Sequence, residues 1–152
     1  MAGRLSAGQL EALGHDFALR HLAGKGWMEG IREMVRQDQE SGATVAVATA
    51  AFEFYARAFA DLLAIETVIA TQWDGSGIPG GNCYGEEKAR RVRAWLETLD
   101  VGEGPISIRF VSDSFADAPL LEQAQEAIFV TTGAGKRANA ERRGWNVVNG
   151  LV

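Results

Sequence analysis

Apolar positions recur at helical spacing up to about Glu40 and gather into short runs after Gly42. Leu10, Leu13 and Phe17 stand three and four apart, as do Ile31, Met34 and Val35, so each set lies on one helical face. Two helices are predicted over Leu5–Glu40, broken near Gly24-Lys25-Gly26. Ser6 and Gln9 have the spacing of a capping box, in which each side chain satisfies a backbone N–H at the helix start. Beyond Gly42, Thr44–Thr49 is β-branched and apolar on both faces, the pattern of a parallel strand covered by helices. The pattern then predicts a helix over Phe52–Leu63, a strand over Thr67–Thr71 and a hairpin or irregular loop over the turn-rich residues 74–81. A helix over Glu86–Leu99, a strand over Ile106–Val111 and a short helix over Pro119–Gln125 come next. The chain closes with a strand over Ala127–Thr131, a helix over Lys136–Arg143 and a strand over Trp145–Val148. Strands alternating with helices predict an α/β fold, a parallel sheet joined by right-handed crossovers. Residues 1–40 form a helical segment ahead of an α/β core over 41–152.

Composition narrows the function classes. The chain has 152 residues, 47% of them hydrophobic, which suffices to bury a core. Fifteen Lys and Arg against 20 Asp and Glu give a net charge of −5, and no dense basic run offers a surface for a phosphate backbone, which argues against nucleic acid as a partner. The longest apolar stretch, Val45–Phe52, is far shorter than the roughly 20 residues that cross a bilayer. With no signal-peptide layout at the N-terminus, the expectation is a soluble, cytoplasmic protein without a membrane partner. The single Cys83 forms no internal disulfide, and with only His15 and His21 beside it there is no zinc cluster. Chemistry must rest on carboxylates, hydroxyls, Lys and backbone amides. Trp27, Trp73, Trp95 and Trp145 read as packing residues, while Trp73 and Tyr84, which flank the Gly-rich loop, offer loop packing or a substrate entrance.

Ligands of open parallel sheets bind beyond the carboxyl ends of the strands, so polar residues just after strands are the first candidates. Thr49, leading into Ala50 and Ala51, offers a hydroxyl and N–H groups at a helix start, either for an anion or as a simple cap. Asp113 and Asp117, four apart after a strand, either converge as hard oxygen ligands for Mg²⁺ or serve as a turn former and an N-cap. Lys88 opens a helix, where its charge opposes the macrodipole. It either faces an anion or joins a solvated face among Glu86, Glu87, Arg90, Arg91 and Arg93.

In order these places read strand-Thr, Gly-x-x-Lys, strand-Asp-x-x-x-Asp. The stretches Val45–Ala50, Gly81–Lys88 and Ser112–Glu122 resemble the second, third and fourth motifs of the haloacid dehalogenase superfamily, in the branch similar to phosphoserine phosphatase. The tail Ala140–Val148 resembles that branch too, and the resemblance runs from about Leu5 to Val148. It implies a three-layer Rossmann-like fold with helices on both faces of the sheet and a helical cap remnant in residues 1–40. By the resemblance Thr49 and Ala50 would bind the phosphoryl group of a small phosphorylated molecule, Lys88 would neutralise its charge, and Asp113 with Asp117 would hold Mg²⁺.

The family begins with a strand ending in Asp-x-Asp, whose first Asp attacks phosphorus and whose second acts as acid and base. No Asp-x-Asp occurs in these 152 residues; Asp38-Gln39-Glu40 precedes the Thr44 strand, and Asp16 lies in a helical pattern. The chain therefore reads as a phosphatase-type domain lacking its central first strand, with weak or no activity by itself and with metal affinity below the family's. Without that strand the Thr49 and Ile106 strands must pair directly, borrow a strand, or leave backbone groups unpaired, and a homodimer is one way to cover them. Two further readings compete with a hydrolase that has lost its nucleophile. One is a noncatalytic phosphate-binding module of the same fold; the other is a generic flavodoxin-like domain with coincidental motifs.

Overall fold

The computed structural model describes residues 7–100, 104 and 106–150. Ser6 of the expected capping box lies outside them. The elements are α1 (Ala7–Lys25), α2 (Glu29–Glu40), β1 (Ala46–Phe52), α3 (Glu53–Leu62), β2 (Thr67–Thr71) and α4 (Gly85–Glu97), then β3 (Arg109–Ser112), a 3-10 turn (Phe115–Asp117), α5 (Ala118–Gln123), β4 (Glu126–Val130), α6 (Ala134–Arg142) and β5 (Asn146–Val148). Each helix and strand expected from the apolar pattern has a counterpart. The larger shifts are in β1, which starts at Ala46 and runs past Thr49 to Phe52, and in β3, which starts only at Arg109, leaving residues 106–108 outside it. The loop between β2 and α4 is irregular, with no hairpin. It turns on Asp74, whose Oδ1 accepts from the backbone N–H groups of Ser76 and Gly77, both at 2.8 Å.

Two compact units make up the chain, Met1–Cys83 and Tyr84–Val152. In the first, β1 and β2 pair in parallel, α3 packs on both strands and α1 packs on α3. The face of α1 turned to α3 combines small residues with one member of the expected apolar stripe, Phe17, whose ring lies 4.9 Å from that of Tyr55. Gly14 and Ala18 are buried, whereas Leu13 and Phe17 are 42% and 46% exposed. A Cβ on Gly14 would lie 2.0 Å from the Phe54 carbonyl oxygen, so the helices meet at a point where no larger side chain fits.

In the second unit the strand order is β3-β4-β5, all parallel. Leu121, Phe129, Ala140 and Trp145 form its core, and Phe115 stacks on Phe129 with ring centroids 4.5 Å apart. Trp145 is therefore a packing residue, as the sequence suggests, and the Arg143 guanidinium lies 5.2 Å from its ring centroid.

The expected single sheet is replaced by two parallel sheets, one of two strands and one of three. Among the described strands β1 pairs with β2 in the first unit, and β3 with β4 in the second. The described residues ahead of β1 are committed mainly to α1 and α2 and leave no extended segment to add to either edge. No described helix is long and apolar enough to cross a membrane.

Candidate functional site

Lys88 sits in the first turn of α4, and its side chain is only 8% exposed. The solvated-face reading fails for this residue, because its ammonium lies 2.8 Å from Oδ1 of Asp117, itself 7% exposed. Gly85 makes this entry possible: its φ of +55° lies in the left-handed region and turns the chain from the loop into the helix. The neighbouring charges do pair locally on the outer side of α4. Glu87 accepts from Arg90 and Arg91 at 2.8 Å and shorter, and these bonds, Arg90 first, hold its carboxyl at about 2 against an ordinary 4.5.

Asp117 occupies the N-cap position of α5 but makes no capping bond. Its Oδ2 accepts instead from the Ser112 hydroxyl at 2.6 Å, and its Oδ1 faces the Lys88 ammonium. Oδ1 has no solvent contact and no aligned hydrogen bond, so charge rather than hydrogen-bond geometry holds it against Lys88. Ser112 ends β3 and also accepts from the Ser114 N–H at 3.0 Å, while Ser114 Oγ accepts from the Ala116 N–H at 3.2 Å. These bonds shape the turn that carries both carboxylates. Asp113, between the two serines, is exposed. No group of three or more His, Cys, Asp or Glu side chains gathers as a metal cluster among the described residues.

Thr49 and Ala50 lie in the first unit, inside an irregularity of β1. Ala48 pairs with Ile69 and Phe52 with Thr71, four steps on β1 against two on β2, so the strand bulges over Thr49-Ala50-Ala51. The Thr49 hydroxyl accepts from the Ala51 N–H at 3.1 Å, which makes it a turn former within the bulge. It does not cap α3, whose N-cap is Phe52 without a side-chain bond. One of the N–H groups expected to be free is thus used, while the Thr49 O–H keeps its own proton to donate, and Ala50 and Ala51 are exposed.

Two residues that sequence reasoning passed over hold these places. Thr71, 1% exposed, donates to the Ala50 carbonyl at 2.8 Å and accepts from the Cys83 N–H at 2.9 Å, tying the bulge to the end of the 74–82 loop. Ser112 fixes Asp117. Both are hydroxyl residues at the carboxyl end of a strand, the signal by which Thr49 is found, but apolar neighbours disguise Thr71 as a strand residue and Asp113 draws attention from Ser112.

Comparison with known proteins places the chain in a family. Residues 2–122 match the family described as haloacid dehalogenase-like hydrolase. A histidinol-phosphatase of Neisseria meningitidis serogroup C (strain 8013) is 30% identical over 126 residues, 78% of this chain and 57% of that enzyme, so the chain spans little more than half of that relative. A Bordetella pertussis Tohama I protein of unknown function superposes with a TM-score of 0.75 at 27% identity, covering 97% of this chain and 76% of its own. A phosphoserine phosphohydrolase-like protein of Francisella tularensis subsp. tularensis SCHU S4 shares the fold, with a TM-score of 0.53 at 16% identity over 91% of this chain and 75% of its own. With 2–122 of its 152 residues matched to that family, the chain belongs to the haloacid dehalogenase-like hydrolases.

Proposed function

We propose that this chain carries the phosphoryl-handling residues of a Mg²⁺-dependent phosphomonoester hydrolase, and that by itself it binds phosphate without turning it over. The observation that carries the reading is the buried Lys88–Asp117 pair beside the exposed Asp113 at the end of β3, in a chain matched to the family over residues 2–122. Each unit brings its own part. In the first, the Thr49 hydroxyl donates to a phosphoryl oxygen and the exposed Ala50 backbone flanks it. In the second, Lys88 supplies positive charge, and Asp117 with Ser112 keeps its ammonium in place. The relative's name, histidinol-phosphatase, points to a small phosphomonoester as substrate class.

The donor set suits Mg²⁺. Asp113 is an exposed carboxylate, and Asp117 Oδ1 is a buried oxygen without an aligned donor. Mg²⁺ takes one or two carboxylates and completes its shell with water and substrate phosphate, so Asp113 and Asp117 would hold it. When bound it would neutralise charge on the phosphoryl oxygens. The covalent step needs an Asp-x-Asp, which the 152 residues do not contain, so binding and charge neutralisation are what these side chains perform.

Phosphorus-31 NMR titration with inorganic phosphate and Mg²⁺, beside a p-nitrophenyl phosphate assay, tests the proposal. Phosphate binding that weakens about tenfold in Thr49→Ala, with no turnover, is expected, since a hydrogen bond to a charged group contributes about 1.5 kcal/mol. Binding unchanged in Thr49→Ala would refute the site, and turnover by the chain as it stands would refute the binding-only reading. The lack of Asp-x-Asp also favours a noncatalytic phospho-ligand module. A fused N-terminal strand ending in Asp-x-Asp separates the two: a hydrolase gains phosphatase activity and a binding module does not.

A further inference from the structure

A cavity of about 300 Å³ opens in the first unit where α1, α2 and α3 meet, and neither Thr49 nor Ala50 lines it. Its apolar wall takes Leu22 from α1, Trp27 from the connection to α2, Ile31 and Val35 from α2 and Phe59 from α3. Ile31 and Val35 belong to the apolar stripe of α2, yet no residue of that helix is buried, so the stripe is left half covered. Phe59 meets Trp27 and His21 nearly at right angles, with ring centroids 6.1 and 5.7 Å away, contacts that fix how these rings face the cavity. Roughly 150 Å³ of apolar space holds benzene, so this cavity has room for an aromatic ring with a short chain.

The ionisable groups at its edge are of one kind. Arg32 and His21 line it, and none of the described lining residues is acidic. The Arg32 guanidinium lies 6.0 Å from the Trp27 ring centroid. Its one hydrogen bond with a described residue runs from Nη1 to Glu29 Oε1 at 3.5 Å, the limit for such a bond, so most of its five donors stay available to an anion. His21 makes ring contacts with Phe17 and Phe59 and no hydrogen bond with a described residue. Apolar walls, a guanidinium with spare donors and no lining carboxylate are complementary to an aromatic acid. A doubly charged phosphate would give up more hydration beside those walls, which favours the singly charged group.

We propose that this cavity is a ligand site separate from the phosphoryl residues, and that it takes a small aryl-alkyl carboxylate with its ring against Trp27 and Phe59 and its carboxylate on Arg32. The site does not depend on the phosphoryl reading.

Titration with 3-phenylpropionate, 3-phenylpropanol and 3-phenylpropylammonium tests it, followed by the indole N–H signals in two-dimensional NMR. The acid should shift the Trp27 signal and bind about fivefold more tightly than the alcohol, the upper end for one exposed ion pair, with the ammonium weakest. Arg32→Gln should abolish the preference for the acid while leaving the alcohol affinity and the melting temperature unchanged. Trp27→Leu should weaken acid and alcohol alike. No binding of the acid, equal affinity for acid and alcohol, or a preference that survives Arg32→Gln would overturn the proposal. So would self-association of the free chain in sedimentation velocity that blocks the Trp27 response, because a second copy would then cover the cavity. Inorganic phosphate enters none of these readouts, so this inference and the phosphoryl reading fail separately.

Discussion

Nζ of Lys88 lies 2.8 Å from Oδ1 of Asp117, and the side chains are 8% and 7% exposed. Placing a cation in the first turn of α4 opposes the helix dipole, and removing it from water costs far more; the buried carboxylate offsets both. Ser112 holds the other carboxylate oxygen at 2.6 Å, so the pair sits in one geometry.

Removing one member should therefore cost more than removing both. Lys88→Met leaves a buried carboxylate without its counter-charge and should destabilise the protein by about 3 to 5 kcal/mol. Lys88→Met with Asp117→Leu should recover most of that loss, because apolar side chains replace a buried pair at little net cost. Urea denaturation of the single and double variants measures the coupling, and strictly additive losses would contradict it.

Thr71→Val keeps the side-chain shape and removes the hydroxyl shared by the Ala50 carbonyl and the Cys83 N–H. Leaving those groups unsatisfied should cost roughly 2 kcal/mol. The Cys83 amide should exchange with solvent faster in Thr71→Val and at the native rate in Thr71→Ser. Unchanged Cys83 protection in the valine variant would show that Thr71 does not tie the loop to the strand.

At Gly14 two effects oppose each other. Alanine inside a helix is favoured over glycine by about 1 kcal/mol, whereas overpacking a tight contact costs about 1 to 3 kcal/mol. A Cβ placed 2.0 Å from a backbone oxygen forces α1 to shift, since no flexible side chain there can give way. Gly14→Ala should therefore lower the melting temperature, and a higher one would mean that α1 does not rest on α3 at this point.

The Glu87 carboxyl gives a pH dependence with a definite sign. Bonds from Arg90 and Arg91 lower it from 4.5 to about 2. A depressed folded value means the contribution is present above the unfolded 4.5 and is lost as pH falls towards 2. The stability difference between the native chain and Glu87→Gln should be largest above pH 4.5, fade towards pH 2 and shrink with added salt, because the cluster is near the surface. A difference that grows on acidification would reverse the assignment.

Helix and strand positions were legible because periodicity is a local property: a run such as Thr67–Thr71 is apolar and β-branched wherever it later packs. The partner of Lys88 was not. Glu86, Glu87, Arg90 and Arg91 surround it in the chain, and only the covering of one face of α4 separates a buried Lys88 from a solvated one. Asp117 shows the same limit, since its place before α5 is that of an N-cap while its carboxylate goes to Lys88 and Ser112. Phe17 of the apolar stripe expected of α1 does reach Tyr55 of α3, but the backbone contact is made at Gly14, beside the buried Ala18, because close approach favours the absence of a side chain.

The sequence by itself determined the alternation of strands and helices, the order of the motif residues Thr49, Lys88, Asp113 and Asp117, and the lack of an Asp-x-Asp. These depend on residue type and spacing along the chain. Tertiary structure alone decided that the strands form two sheets, that Lys88 and Asp117 are buried together while Asp113 stays exposed, and that Thr71 pins the bulge carrying Thr49 and Ala50. Burial, ion pairing and backbone satisfaction depend on groups distant in the chain, and folding is what brings them within reach.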